Sequence, residues 1–215
     1  MSSAIIQLLV LAGIAIFLIL RLRNVLGSRD GFERPKTAIP AETARKRRDF
    51  DVIEGGPDRD ITDHVTAESP EARALTAMKL VEPDFSVSEF LQGARGAYEM
   101  ILMAFETGDI EKVKPFLSKD VYDSFADVVA ARQARGLTVT SQFIGLRELV
   151  LTGADFDRGT GEAEITVRFT GELISSAKDA AGNVVEGDPR ASRKQRDSWT
   201  FARTMGANDP NWELV

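Results

Sequence analysis

Ala4 to Leu20 reads AIIQLLVLAGIAIFLIL, seventeen residues in which Gln7 is the one polar side chain. A run this apolar is stable only in a bilayer or inside a large core, so it constrains the chain more than any other feature. As a helix it reaches about 25 Å, slightly less than a hydrocarbon core of roughly 30 Å. Ser2, Ser3 or Leu22 can extend it, and Arg21 and Arg23 can snorkel their heads to the interface. A helix also satisfies its own backbone in lipid. The sequence therefore predicts one transmembrane anchor over residues 1–26, built on Ile5, Leu9, Ile14, Phe17 and Leu20 and closed by Arg21 and Arg23. A cleaved secretory signal competes with this, but it wants positive charge before the apolar stretch and a small-residue cleavage site after it. Here the charge follows, as Arg21, Arg23 and Arg29. A buried globular helix is the remaining alternative. Positive flanks stay on the cytoplasmic side, which places the long C-terminal part in the cytosol, or in the matrix of a mitochondrion.

The net charge of −6 conceals a polarity along the chain. Residues 1–20 carry no charged side chain, residues 21–50 carry net +5, and the rest carries net −11. From Gly27 to Ser69 there are Pro35, Pro40, Pro57 and the pair Gly55-Gly56, with no periodic apolar pattern. Such composition predicts a flexible linker over 27–69. Within it, Arg45, Lys46, Arg47 and Arg48 form a cationic cluster suited to lipid-surface contact, where each charge gains about 1 kcal/mol near anionic headgroups. A solvated charge run is the plainer reading. Nucleic acid is not an expected partner, because the region beyond is acidic. His64 stands in this polar stretch with no evident partner.

Residues 70–215 read as one α+β domain. Ser69-Pro70 opens a short helix with Ala72, Leu75, Met78 and Leu80 or Val81 on one side, ended by Pro83. Ser86 and Glu89 form a capping box for the clearest helix, whose Val87, Phe90, Leu91, Ala94, Ala97, Tyr98, Ile101, Leu102 and Phe105 advance by threes and fours to Gly108. Gly93 and Gly96 lower its propensity, and close packing on another backbone is one explanation. Asp109 can cap a short helix to Leu117, and Ser118 a third ending at Gly136, with Val121, Tyr122, Phe125, Val128 and Val129 inside.

After Gly136 the period changes to 2. A strand from Thr138 bulges near Gly145 and resumes through Leu151, and Asp155 to Gly161 turns the chain. Ala163, Ile165, Val167 and Phe169 then alternate with Glu164, Thr166, Arg168 and Thr170. A turn at Lys178–Asn183, Val184-Val185 and a break at Gly187-Asp188-Pro189 follow. The last long strand runs near Asp197 to Met205, before Asp209-Pro210-Asn211 turns into Trp212 to Val215.

The segments AYEMILMAFETGDIEKVKPFLSKDVYDSF at 97–125, GNVVEGDP at 182–189, DSWTFAR at 197–203 and DPNWEL at 209–214 resemble, in this order, the C-terminal domain of the Tim-forty-four-like family. That family comprises the mitochondrial import-motor adaptor and its alphaproteobacterial relatives. The resemblance covers residues 70–215 and implies a cone-shaped domain like nuclear transport factor 2, with helices packed on a curved four-stranded antiparallel sheet and an apolar groove between. It implies inner-membrane lipid and a protein partner, in the translocation or chaperone machinery. This chain departs from the mitochondrial adaptor in having a hydrophobic anchor and a short tether. A bacterial inner-membrane protein is expected, single-pass, with a periplasmic N-terminus and a cytoplasmic domain. Groove candidates for a partner or ligand are Tyr98, Phe105, Tyr122, Phe169 and Trp199.

No catalytic, cofactor or metal residues are expected. Cysteine is absent and His64 is the one histidine, which excludes thiolate chemistry, Fe–S clusters and imidazole-rich zinc sites. No phosphate-cradling glycine loop appears. Asp188, Asp197 and Asp209 are acid-base candidates by composition, but turn and capping chemistry explains them more simply. Tyr98 and Tyr122 would be the donors of an isomerase-like or dehydratase-like site, a reading that rests on fold analogy alone. The cationic cluster Arg190, Arg193, Lys194 and Arg196 is expected in a loop between strands.

Overall fold

The computed structural model describes residues 58–215, so the anchor over 1–26, the cluster Arg45 to Arg48 and most of the linker lie outside the described residues. Helices precede strands. The helices are α1 (Arg59–Thr62), α2 (Pro70–Val81), α3 (Val87–Thr107) and α4 (Lys119–Ala134), with short 3-10 turns at Ile110–Lys112 and Lys114–Phe116. Three serines start the long helices, as their spacing requires: Ser69, Ser86 and Ser118 each accept a hydrogen bond from the backbone N–H three residues on. Gly108 closes α3 in the left-handed region, at φ 84°. No helix among the described residues is long and apolar enough to cross a membrane.

The strands are β1 (Thr138–Phe156), β2 (Glu162–Lys178), β3 (Val184–Gly187), β4 (Arg193–Thr204) and β5 (Glu213–Leu214). The sheet is antiparallel in the order β1-β2-β4-β5. The resemblance implies four strands and the described residues contain five, because the chain beside β2 is interrupted. Residues 184–187 pair with one end of β2 and residues 193–204 continue along it, leaving residues 188–192 as the break. The expected bulge is present, with a register shift between Phe143 and Gly145.

β2 is the central strand. Its Ala163, Ile165, Val167 and Phe169 are fully buried, as the alternation predicts. They pack under α2 and α3 against Leu75, Met78, Val87, Tyr98 and Ile101, all likewise fully buried. Burying a side chain of this size stabilises by roughly 1.5–3 kcal/mol, which is why this layer fixes the fold.

Several local expectations are corrected. Leu80 is 75% exposed and Val81 50%, because the core-facing stripe of α2 ends at Met78. Asp109 makes no capping bond, and the chain there forms two 3-10 turns. On α4 only Val129 is buried; Val121, Tyr122 and Phe125 are half-buried and Val128 is exposed, so the helix lies on the domain by one edge. β4 begins at Arg193, ahead of Asp197, which puts Arg193, Lys194 and Arg196 in a strand and leaves Arg190 in the loop.

Residues 58–65 pack on the domain although composition places them in the linker. Ile61 is buried, and Asp60 accepts hydrogen bonds from Val87 N–H (2.7 Å), Ser88 N–H (2.9 Å) and Ser86 Oγ (3.1 Å) at the start of α3. Lys79 Nζ lies 2.7 Å from both Asp58 and Asp60. His64 does have a partner, since its Nε2 is 3.1 Å from Ser88 Oγ.

Candidate functional site

α3 runs across the inner face of the sheet and positions the polar and aromatic groups the sequence singles out. Tyr98 is fully buried in its middle. Its ring stacks on Phe169 of β2 with centroids 4.4 Å apart and planes 7° from parallel, and lies 4.8 Å from Trp199 and 6.1 Å from Phe143. Its hydroxyl donates to Asp197 Oδ2 at 2.6 Å, and Gln195 Nε2 donates to Oδ1 of the same carboxylate at 3.3 Å. Burial first, and then the Asp197 charge, raise the Tyr98 pKa far above its ordinary value. The tyrosine is therefore a permanent donor. Asp197 has its oxygens occupied by neighbours on the domain, an arrangement that orients a core.

The other predicted groove residues lie elsewhere. Phe105 packs on Phe125 of α4, centroids 4.6 Å apart, beneath the Arg132 guanidinium. The Tyr122 hydroxyl donates to Glu111, and Lys114 Nζ sits 4.5 Å from its ring centroid. Tyr98, Phe169 and Trp199 thus form one cluster, while Phe105 belongs to the contact of α3 with α4 and Tyr122 to that of α4 with the 3-10 turns before it. Asp188 and Asp209 accept hydrogen bonds from the backbone N–H two residues on, Arg190 and Asn211. Both are turn-forming groups.

An open apolar cleft of about 420 Å³ lies along one flank of α3, between it and the segment at residues 210–212, lined by Phe90, Gly93, Ala97, Met100, Phe116 and Trp212 among others. Gly93 and Gly96 border it, and a Cβ on either would meet nothing within 4 Å. Close packing on a backbone is thus not what these glycines serve; they leave the cleft wide. Trp212 forms its floor with Phe90, ring centroids 4.7 Å apart, and the Arg203 guanidinium lies 5.2 Å from the Trp212 centroid. Arg203 is held in turn by Glu82 Oε2 at 2.6 Å and by the Pro210 carbonyl at 3.1 Å. Burial works to raise the Glu82 pKa, but the Arg203 and Gly206 hydrogen bonds outweigh it and the carboxyl ends below its usual range.

Sequence reasoning misses two buried polar contacts. Glu106 is 7% exposed and accepts from Ser141 Oγ at 2.8 Å and Ser175 Oγ at 2.6 Å. The signal for it is spacing, since Glu106 falls four residues after Leu102 and eight after Tyr98 on the inner face of α3. The Arg203–Glu82 pair joins positions 121 residues apart and carries no local signal. Among the described residues, no group of three or more His, Asp or Glu side chains is arranged to hold a metal ion.

A family model described as "Tim44-like domain" matches residues 71–215, which include α3, the whole sheet and both walls of the cleft. The chain belongs to the Tim44-like domain family. This chain is 24% identical over 168 residues to the mitochondrial import inner membrane translocase subunit TIM44 of Homo sapiens. It is 22% identical over 130 residues to subunit TIM44-1 of Arabidopsis thaliana. These matches cover 73% and 60% of this chain but only 36% and 27% of those proteins, so the chain spans about a third of the relatives it matches. A solved structure, the intermembrane space region of chloroplast protein ARC6, is 15% identical with a TM-score of 0.34 over 66% of this chain and 92% of that one, too slight a likeness to bear on the Tim44-like fold.

Proposed function

We propose that this chain is a single-pass, membrane-tethered adaptor whose Tim44-like domain binds a protein partner or client at the inner membrane, in membrane protein translocation or biogenesis. The observation that carries the reading is the family match over residues 71–215, whose curated relatives are subunits of an inner membrane translocase. Residues 1–26 anchor the chain, the linker after Gly27 forms the tether, and Arg45 to Arg48 touch anionic headgroups. The host membrane is a bacterial inner membrane, with the N-terminus periplasmic and the cone-shaped domain cytoplasmic. Anchoring raises the local concentration of a weak binder near membrane machinery without any new contact. The domain works by binding, and no chemistry is required of it. In-cell crosslinking of the full-length protein should return protein neighbours resident at the inner membrane. Recovery of lipid alone, from every surface position tried, would remove the adaptor reading.

The open cleft beside Gly93 and Gly96 favours a second reading, a domain that takes a lipid chain or another small hydrophobic ligand. Native mass spectrometry of the purified protein separates the two, since a retained acyl ligand supports only the second.

A further inference from the structure

β4 has one edge on β2 and meets β5 only at Phe201 and Ala202. The Val215 N–H donates to the Thr200 carbonyl at 3.0 Å, so the outward-turned backbone groups on this edge are those of Thr200 and, two residues apart, of Ser198, Arg196 and Lys194. The register along β2 is unbroken over this stretch, and among the described residues no strand covers the edge from Arg193 to Ser198. It is a row of main-chain donors and acceptors able to pair with another chain.

The same stretch is cationic. Arg190, Arg193, Lys194 and Arg196 are all exposed, and among the described residues none of them forms a salt bridge. The neighbouring acids have their oxygens hydrogen-bonded to other groups, with Lys194 acting on Glu172 through charge alone. Glu172, opposite Lys194 across the strands, is held by Arg147 and by Ser192 Oγ. Asp197 is held by Tyr98 and Gln195, and Asp188 by the Arg190 N–H. Lys194 and Arg196 stand two residues apart on one face of the sheet, so an added strand with an acid at every second position would set its acids beside both.

We infer that the open edge of β4 from Lys194 to Ser198 is a docking site for an acidic, extended peptide segment of a protein partner, which adds to the sheet as a further strand. This deepens the adaptor reading and rests on it, by naming the surface and the chemistry of the client. A second copy of the chain does not fit, because pairing β4 with β4 would bring its cations against the same cations. A lipid surface could use the charges but has no row of backbone partners for the edge.

The test uses the full chain in detergent micelles with a capped peptide of alternating Glu and Val, and its Lys-Val counterpart as control. Hydrogen–deuterium exchange over residues 193–199 is followed with each peptide. The Glu-Val peptide should slow exchange at Lys194, Arg196 and Ser198 by about tenfold or more, as expected for amides that gain a strand partner, and the Lys-Val peptide should not. Lys194→Glu with Arg196→Glu should abolish the protection through charge. Ser198→Pro should abolish it with every cation retained, because an outward N–H on an edge strand can be removed without breaking the ladder. Absence of protection overturns the proposal. So does binding that persists in Ser198→Pro, protection by phosphatidylglycerol vesicles without peptide, or protection that rises with protein concentration alone. If the edge fails while in-cell crosslinks from other faces still return protein neighbours, the adaptor stands and only this surface is wrong.

Discussion

The Tyr98 hydroxyl is buried 2.6 Å from a carboxylate, so removing its oxygen takes a charge-assisted hydrogen bond from Asp197. Tyr98→Phe is expected to lower stability by about 1–2 kcal/mol in urea unfolding, with the fold retained. A stability equal to the parent would mean that the contact contributes nothing. The sign of its pH dependence follows from the raised pKa. The contribution is present in full below about pH 10, the ordinary range of tyrosine, and is lost as pH rises through the higher native value. Gly171 lies beneath the same ring, where a Cβ would sit 2.9 Å from the Tyr98 hydroxyl oxygen. Gly171→Ala should therefore cost about 1–3 kcal/mol, measured in the same way. Tyr98 and Asp197 are each visible in the sequence as candidates, but their pairing is not, because it joins residues 99 apart through strand order. Gly171 within an alternating strand is the clue to the close approach.

At the scale of elements, α3 carries the core face, the cleft and a buried carboxylate on one rod. Asp60 supplies its N-terminus with an anion from outside the helix. Burial works to raise the Asp60 pKa, but Lys79, Ser88 and Val87 outweigh it and hold the carboxyl well below its ordinary value. Its contribution is thus present above about pH 4 and is lost as pH falls below that. Asp60→Asn should cost about 1 kcal/mol at neutral pH, and the difference from the parent should shrink in acid urea titrations. Gly96→Ala, with open space at the new Cβ, should instead stabilise by roughly 0.5–1 kcal/mol and narrow the cleft.

Elements were legible where the signal is local. Ser69, Ser86 and Ser118 mark helix starts because a cap acts within three residues. The start of β4 was not, since Arg193 to Arg196 carry no apolar alternation to mark a strand that pairs with β2 on one side only. Residues 58–65 were hidden for a related reason. A polar stretch reads as linker, and its order comes from the burial of Ile61 and from Asp60 meeting partners more than twenty residues away.

For the whole molecule, the central claim is that an apolar N-terminal segment holds a Tim44-like binding domain at a membrane. The two parts differ in what they need. Residues 71–215 match the family, and the described residues bury a continuous core of their own. In the proposed function the N-terminal segment supplies location, which is testable without knowing the partner. The most direct measurement is membrane fractionation, with carbonate extraction, of the full-length protein and a variant lacking residues 1–26, both checked for an intact N-terminus by mass spectrometry. The account predicts the uncleaved full-length chain in the extracted membrane pellet and the shortened chain folded in the soluble fraction. A mature chain beginning near residue 27, or a shortened chain that stays in the pellet, would contradict it.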